Sequence, residues 1–234
     1  MTLLTMIQGA ALMVGVTQPS VVIGSTSQQV QELLACAQEE GRKLMKRGIW
    51  QVLRKQQLFS AVAQEIQTGM IPTDYDRFVN ETFWNRTRRR PLYGPMTPQE
   101  WQNLKAWTSS PVSDTFTMRG NDIYIIPTPT AGDQMAYEYV SKNWCQSSGG
   151  TPQDTWEADT DTGILSESLM QLGVQWRYKQ KKGLRWQPDY QVYETEVKQQ
   201  LIGDNPMRTV NFGNPNWIGR YPGIAVPDGS WNVP

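Results

Sequence analysis

The chain has 234 residues, 22 Lys and Arg against 22 Asp and Glu, two cysteines and no histidine. Without histidine it lacks the commonest general base near neutral pH and the commonest metal ligand, which closes Ser-His-Asp and Cys-His chemistry and most zinc sites. Zero net charge speaks against coating nucleic acid or a membrane by charge alone, and the length suits one large domain or two small ones.

The first sixteen residues, MTLLTMIQGAALMVGV, are apolar but carry no Lys or Arg. They fall short of the about 20 residues of a membrane span and lack the basic start of a signal peptide. Leu3, Leu4, Ile7, Ala11 and Val14 share one helix face, so the segment reads as a short amphipathic helix. From Thr26 to Arg47, Val30, Leu33, Leu34, Ala37, Leu44 and Met45 form a second apolar stripe, with Ser25, Thr26 or Ser27 as cap and Gly48 as stop. Glu39 and Glu40 precede Lys43, Lys46 and Arg47, so these charges are expected to pair along a solvated face. Cys36 lies beside the buried stripe.

Between Trp50 and Trp144 the pattern turns to strands. Gln51–Val62 and Phe78–Asn85 alternate in part. Thr115–Met118 and Ile123–Ile126 flank Arg119-Gly120-Asn121-Asp122, a hairpin turn sequence. Met135–Val140 alternates cleanly. Pro98–Trp107 reads as a short helix with Thr97 as cap, burying Trp101, Leu104 and Trp107. Gln146–Gly163 reads as a linker. Helical periodicity then returns with Leu165, Leu169, Leu172 and Trp176, and again with Tyr190, Tyr193, Val197 and Leu201, ended by Gly203.

Two helices before the strands and two after them give an α+β fold. Residues 1–48 and 160–203 form a discontinuous helical bundle, and 49–159 a β-rich insertion with a short helix near 98–107. Residues 204–234 have no periodicity and are rich in Pro, Gly and Asn, yet keep Phe212, Trp217, Tyr221 and Trp231. They read as an extended arm whose four aromatics anchor it on a neighbouring surface.

Ten Trp, nine Tyr and five Phe in a chain of mean hydropathy −0.54 point to surfaces that meet other subunits. The bland alternative is that they build the core. Two cysteines, Cys36 and Cys145, are too few for a disulfide scaffold; one bridge is open to them, and a reduced compartment is the plainer reading. Asp159-Thr160-Asp161-Thr162-Gly163 matches part of a calcium loop but lacks the closing Glu, so helix capping by Asp161 or Thr162 explains it better. No catalytic constellation, cofactor motif or metal-ligand set is expected.

Arg86, Arg88, Arg89 and Arg90 form the strongest basic run, suited to phosphate or to an acidic partner surface, or else to a solvated sheet edge. Lys179, Lys181, Lys182 and Arg185 form a second cluster at a helix C-terminus, where the dipole alone would favour them. Both clusters are candidates for an interface or a DNA channel. Net charge argues against sequence-specific DNA binding.

The order of segments resembles the head-to-tail adaptor (connector) proteins of tailed bacteriophages, especially short-tailed ones. The likeness runs through LLTMIQGAALMVG, ELLACAQEEGRKLMKRGIWQ, FVNETFWNRTRRRPLYGPMTPQEWQ, GNDIYIIPTP and AYEYVSKNW to about Gly203. It is strongest at Trp84–Pro91 with Gln99-Glu100-Trp101, and at Glu138–Trp144. The resemblance implies a structural virion protein without catalytic activity, made in the host cytoplasm and placed at the head-tail junction. It further implies a ring of copies, usually a dodecamer, below the portal protein. Such a ring continues the DNA channel, touches packaged DNA without sequence preference and docks the tail nozzle or tail fibres, with no membrane partner. Three rivals stand beside it. One is a DNA-binding regulator using Lys179–Arg185. Another is a hydrolase using Asp154, Glu157, Asp159 or Asp161. The nearest is another neck or tail-tube protein.

Overall fold

A computed structural model describes residues 2–106 and 113–204. Trp107 and residues 205–234 of the arm, with Phe212, Trp217, Tyr221 and Trp231, lie outside the described residues, and Asp204 belongs to the last helix. The chain opens with α1 (Leu3–Val14) and α2 (Gln28–Leu44), then β1 (Arg54–Ser60), β2 (Ile66–Thr68), β3 (Tyr75–Phe78), β4 (Trp84–Asn85) and β5 (Arg90–Pro91). There follow α3 (Pro98–Ala106), β6 (Thr115–Arg119), β7 (Asp122–Ile126) and β8 (Gln134–Ser141). Three two-residue strands come next, β9 (Cys145–Gln146), β10 (Pro152–Gln153) and β11 (Thr162–Gly163). The described chain ends with α4 (Glu167–Lys181) and α5 (Gln187–Asp204). The α+β fold with a β-rich insertion between two helical pairs is thus present.

The four long helices close one core. Leu3, Ile7, Leu33, Leu44, Leu169 and Val197 are buried together in it, with α4 packed against α1, α2 and α5. Burying each such side chain contributes roughly 1.5–3 kcal/mol. On α1 the buried stripe is Leu3, Met6, Ile7, Ala10 and Ala11, while Leu4 and Val14 are only partly covered. Gly15, at φ 72°, ends this helix as a left-handed cap. On α2 the expected stripe holds, but Glu40 does not lie on a solvated face. It is fully buried, and its partners come from α4 and α5 rather than from its own helix. Gly41 admits Trp144: a Cβ there would lie 2.4 Å from the indole ring.

The strands build a second core from Phe59, Phe83, Phe116, Ile125, Met135 and Tyr137. Phe83 and Phe116 meet edge to face, their ring centroids 4.7 Å apart. β8 is the central strand, pairing antiparallel with β1 on one side and with β3 and β4 on the other. Its alternation serves both bodies: Tyr139 enters the strand core and its neighbour Val140 the helical core. The β6–β7 hairpin forms as expected, with Gly120 at φ 59° in the turn. At the start of α3, Glu100 N–H donates to Thr97 Oγ1 at 3.3 Å and Thr97 N–H to the Glu100 carboxylate at 2.8 Å. That reciprocal pair is a capping box.

Three further expectations need correction. Residues 146–163 are no linker: β9, β10 and β11 form a small sheet there, and Trp156 is buried in the helical core. Trp50, Leu53, Trp144 and Cys145 are buried in that core too, so the β-rich body runs nearer to 54–141 than to 49–159. Asp161 caps no helix. Its carboxylate accepts from Glu157 N–H at 2.7 Å and Ala158 N–H at 2.8 Å, closing a turn, and Ser166 stands at the start of α4.

Candidate interaction surface

Chain geometry sorts the four arginines of the basic run into two kinds. They occupy the turn from β4 to β5, where Asn85 Oδ1 accepts from Arg88 N–H at 2.9 Å. Arg88 turns back over the loop before β8 and holds Asp133, its Nε 2.9 Å from Oδ2, while Asn85 Nδ2 donates to the same oxygen at 3.0 Å. Arg90 grips Asp114, with Nε 2.9 Å from one carboxylate oxygen and Nη2 donating to the other at 3.1 Å. Asp133 and Asp114 are both buried, so these two arginines neutralise carboxylates that the fold has taken out of water. Arg86 and Arg89 are exposed and have no ion-pair partner among the described residues. As an outward-facing patch the run is therefore two residues, not four.

The second cluster divides the same way. Lys179 Nζ lies 2.7 Å from Asp189 on α5, and Lys182 Nζ lies 2.5 Å from Glu32 on α2. Both pairs tie α4 to its neighbours, beyond any role of the helix dipole. Lys181 and Arg185 remain exposed with no ion-pair partner among the described residues.

Most of the described tryptophans belong to the interior. Trp50, Trp101, Trp144, Trp156 and Trp176 are buried, which is the bland alternative for them; Trp84 and Trp186 are half-buried. Exposed apolar side chains are mostly aliphatic, with Tyr93 an exposed aromatic beside them. Leu12, Met13 and Val21 are exposed around the end of α1. Val52 lines a groove of about 520 Å³ with Trp50, Ile164, Leu165 and Asp204. Leu58 is 53% exposed on β1, opposite Ala136.

Two polar networks were not visible as sites in the sequence. In the first, Arg177 Nε donates to Glu40 Oε2 at 2.7 Å and Tyr193 Oη donates to Oε1. Burial pushes the Glu40 carboxyl above its ordinary range, against the pull of Arg177 and the Tyr193 bond, and it pushes the Tyr193 hydroxyl up as well. In the second, Asp74 accepts from Lys55 Nζ at 2.7 Å, Ser141 Oγ at 2.8 Å and Tyr139 Oη at 2.9 Å. Burial raises the Asp74 carboxyl, but these three bonds more than offset it and hold the group below its ordinary value. Ser141 is fully buried, so this network fastens β1, β8 and the loop before β3.

Of the acidic residues of the hydrolase alternative, Asp154 lies 3.8 Å from Lys142 and Glu157 accepts from Gln153 Nε2 at 2.9 Å, while the other two serve the backbone. Asp159 accepts from Val22 N–H at 3.0 Å and Ile23 N–H at 2.7 Å, and Asp161 closes its own turn. Cys36 and Cys145 are free and buried. Among the described residues, no helix is long and apolar enough to cross a membrane, and no group of His, Cys, Asp and Glu is placed to hold a metal ion. Compared with protein-family models and with curated proteins, the sequence matches none.

Proposed function

We propose that this chain is a structural protein of a phage virion, a head-to-tail adaptor that forms a ring below the portal, continues the DNA channel and docks the tail nozzle or fibres. The reading comes from the sequence resemblance, and one observation supports it. Helices from both ends of the described chain close a single core, and the strands between them carry a second core of their own. That is the arrangement the resemblance implies. Within the two basic clusters, Lys181, Arg185, Arg86 and Arg89 are the cations left over for partners, and any contact they make with packaged DNA is to phosphate, independent of sequence and weakened by salt.

Mass measurement in solution tests the proposal. The purified chain alone, and then with purified portal rings of its own phage, is expected to give a cyclic oligomer that either exists beforehand or forms on the portal. A chain that stays monomeric and leaves the portal mass unchanged would contradict the adaptor and favour another place in the neck or tail tube.

A further inference from the structure

The face of the β1–β8–β4 layer turned away from Tyr137 carries a shallow trough. Ala136 on β8 forms its floor, because it pairs with Leu58 of β1 on one side and with Trp84 of β4 on the other. A small residue between two large ones leaves a depression. Two adjoining cavities of about 400 and 290 Å³ share Arg86 in their walls and together run from Gln134 to Glu138. At roughly 3.3 Å per residue that is about 13 Å, the length of four extended residues.

The charges at its two ends differ. Arg86 stands at one end, where its N–H bonds Gln134 O at 2.8 Å. Glu81 stands at the other, beside Thr82, whose Oγ1 accepts from Glu138 N–H at 3.1 Å. Neither Arg86 nor Glu81 has an ion-pair partner among the described residues, whereas Glu138 is paired with Arg54 at 3.2 Å. The turns on either side of β4 are strained: Glu81 has φ 63° and Arg89 φ 55°, left-handed values that non-glycine residues seldom take. Such strain gathers where a fold must present a side chain to something else.

We infer that this trough binds an extended segment of a different protein whose side chains run acid, apolar, base at every second position. Alternate residues of an extended segment face the same way, so an acid would meet Arg86, an aliphatic side chain would lie on Ala136 between Leu58 and Trp84, and a base would meet Glu81. Two glutamates in the walls disfavour a phosphate backbone. A second copy of this chain is disfavoured because, among the described residues, the order acid-x-apolar-x-base occurs at Glu138–Lys142, which begins in β8 and is already paired on both sides. The inference does not rest on the adaptor reading: a virion neck without this protein would leave the trough's preference intact.

The test uses the full chain and a capped peptide, Ser-Glu-Thr-Val-Thr-Lys-Ser, beside a control with Lys in place of Glu. Methyl and indole NMR shifts of Leu58, Ala136 and Trp84 report binding. The first peptide is expected to shift all three, and the control to bind about tenfold more weakly or worse. Arg86→Glu is expected to reverse that preference, while Arg89→Glu, which alters a free cation outside the trough, leaves it unchanged. Equal binding of both peptides, or shifts that miss these residues, would overturn the inference. So would the same shifts appearing with decathymidine, or growing with protein concentration alone.

Discussion

Glu40 on α2 and Gly173 on α4 are in direct contact: a Cβ added to Gly173 would lie 2.1 Å from the Glu40 carboxyl carbon. The carboxylate cannot simply swing away, because Arg177 and Tyr193 hold it and no part of it reaches solvent. Gly173→Ala is therefore expected to destabilise the fold by about 3 kcal/mol, similar to removing one partner of a buried ion pair. Glu40→Ala should cost at least as much, because it leaves the buried Arg177 only the half-exposed Glu39, 3.7 Å away, in place of a buried carboxylate at 2.7 Å. Urea unfolding followed by circular dichroism checks both, and a loss below 1 kcal/mol for either, on the scale of an ordinary surface change, would show that the network does not hold α2 to α4.

The arginine run gives a contrast within one turn. Arg88→Ala strips the buried Asp133 of its cation and is expected to cost about 1 kcal/mol, a figure kept low because Arg88 is a third exposed. Arg86→Ala and Arg89→Ala should stay within about 0.5 kcal/mol. Thermal melts of the three variants side by side measure this. Equal losses at all three would contradict the division into structural and outward-facing arginines.

How much of this could be read from sequence depends on which residue carried the signal. The helices announced themselves through their apolar spacing, and the β6–β7 hairpin through Arg119-Gly120-Asn121-Asp122. Glu40 does carry a signal: with Leu33, Ala37 and Leu44 it stands at i, i+4, i+7 and i+11, on the buried stripe and not opposite it. Its charge suggested water, and the partners that make burial tolerable lie more than a hundred residues away. Residues 146–163 looked like a linker because two-residue strands have no periodicity to read. Which arginines face outward was not legible at all, since Asp133 and Asp114 approach Arg88 and Arg90 only through the pairing of β4 with β8 and the contact of Tyr93 with Thr115.

Asp74 sets an acid limit on the strand body. Its carboxyl is held below the ordinary value of 3.8, so the unfolded chain takes up a proton more readily than the folded one. The stabilisation it brings is complete above about that pH and is lost as pH falls through the lowered folded value. Asp74→Asn is expected to cost about 2 kcal/mol at neutral pH, and the gap to the parent chain should close in acid. Stability measured between pH 2 and 7 checks the sign. A gap that widens in acid would contradict it.

The two thiols should be inert while the chain is folded. Burial pushes the Cys145 thiol up to about 12 and raises Cys36 as well, and the Cys145 Sγ donates to Thr155 O at 3.2 Å. An aromatic disulfide reagent at pH 8 is expected to find no thiol in the native protein and both after unfolding. Finding none after unfolding would mean that Cys36 and Cys145 are bridged, against their free state here.

The adaptor proposal places this chain in a phage neck, and its most direct test is a cryo-electron reconstruction of that neck. The expected result is a ring of copies directly below the portal, with the helical core and the strand core of each copy fitting the density and Lys181 and Arg185 or Arg86 and Arg89 facing the channel or a partner. A neck in which the portal meets the next component with no density for this fold would contradict it.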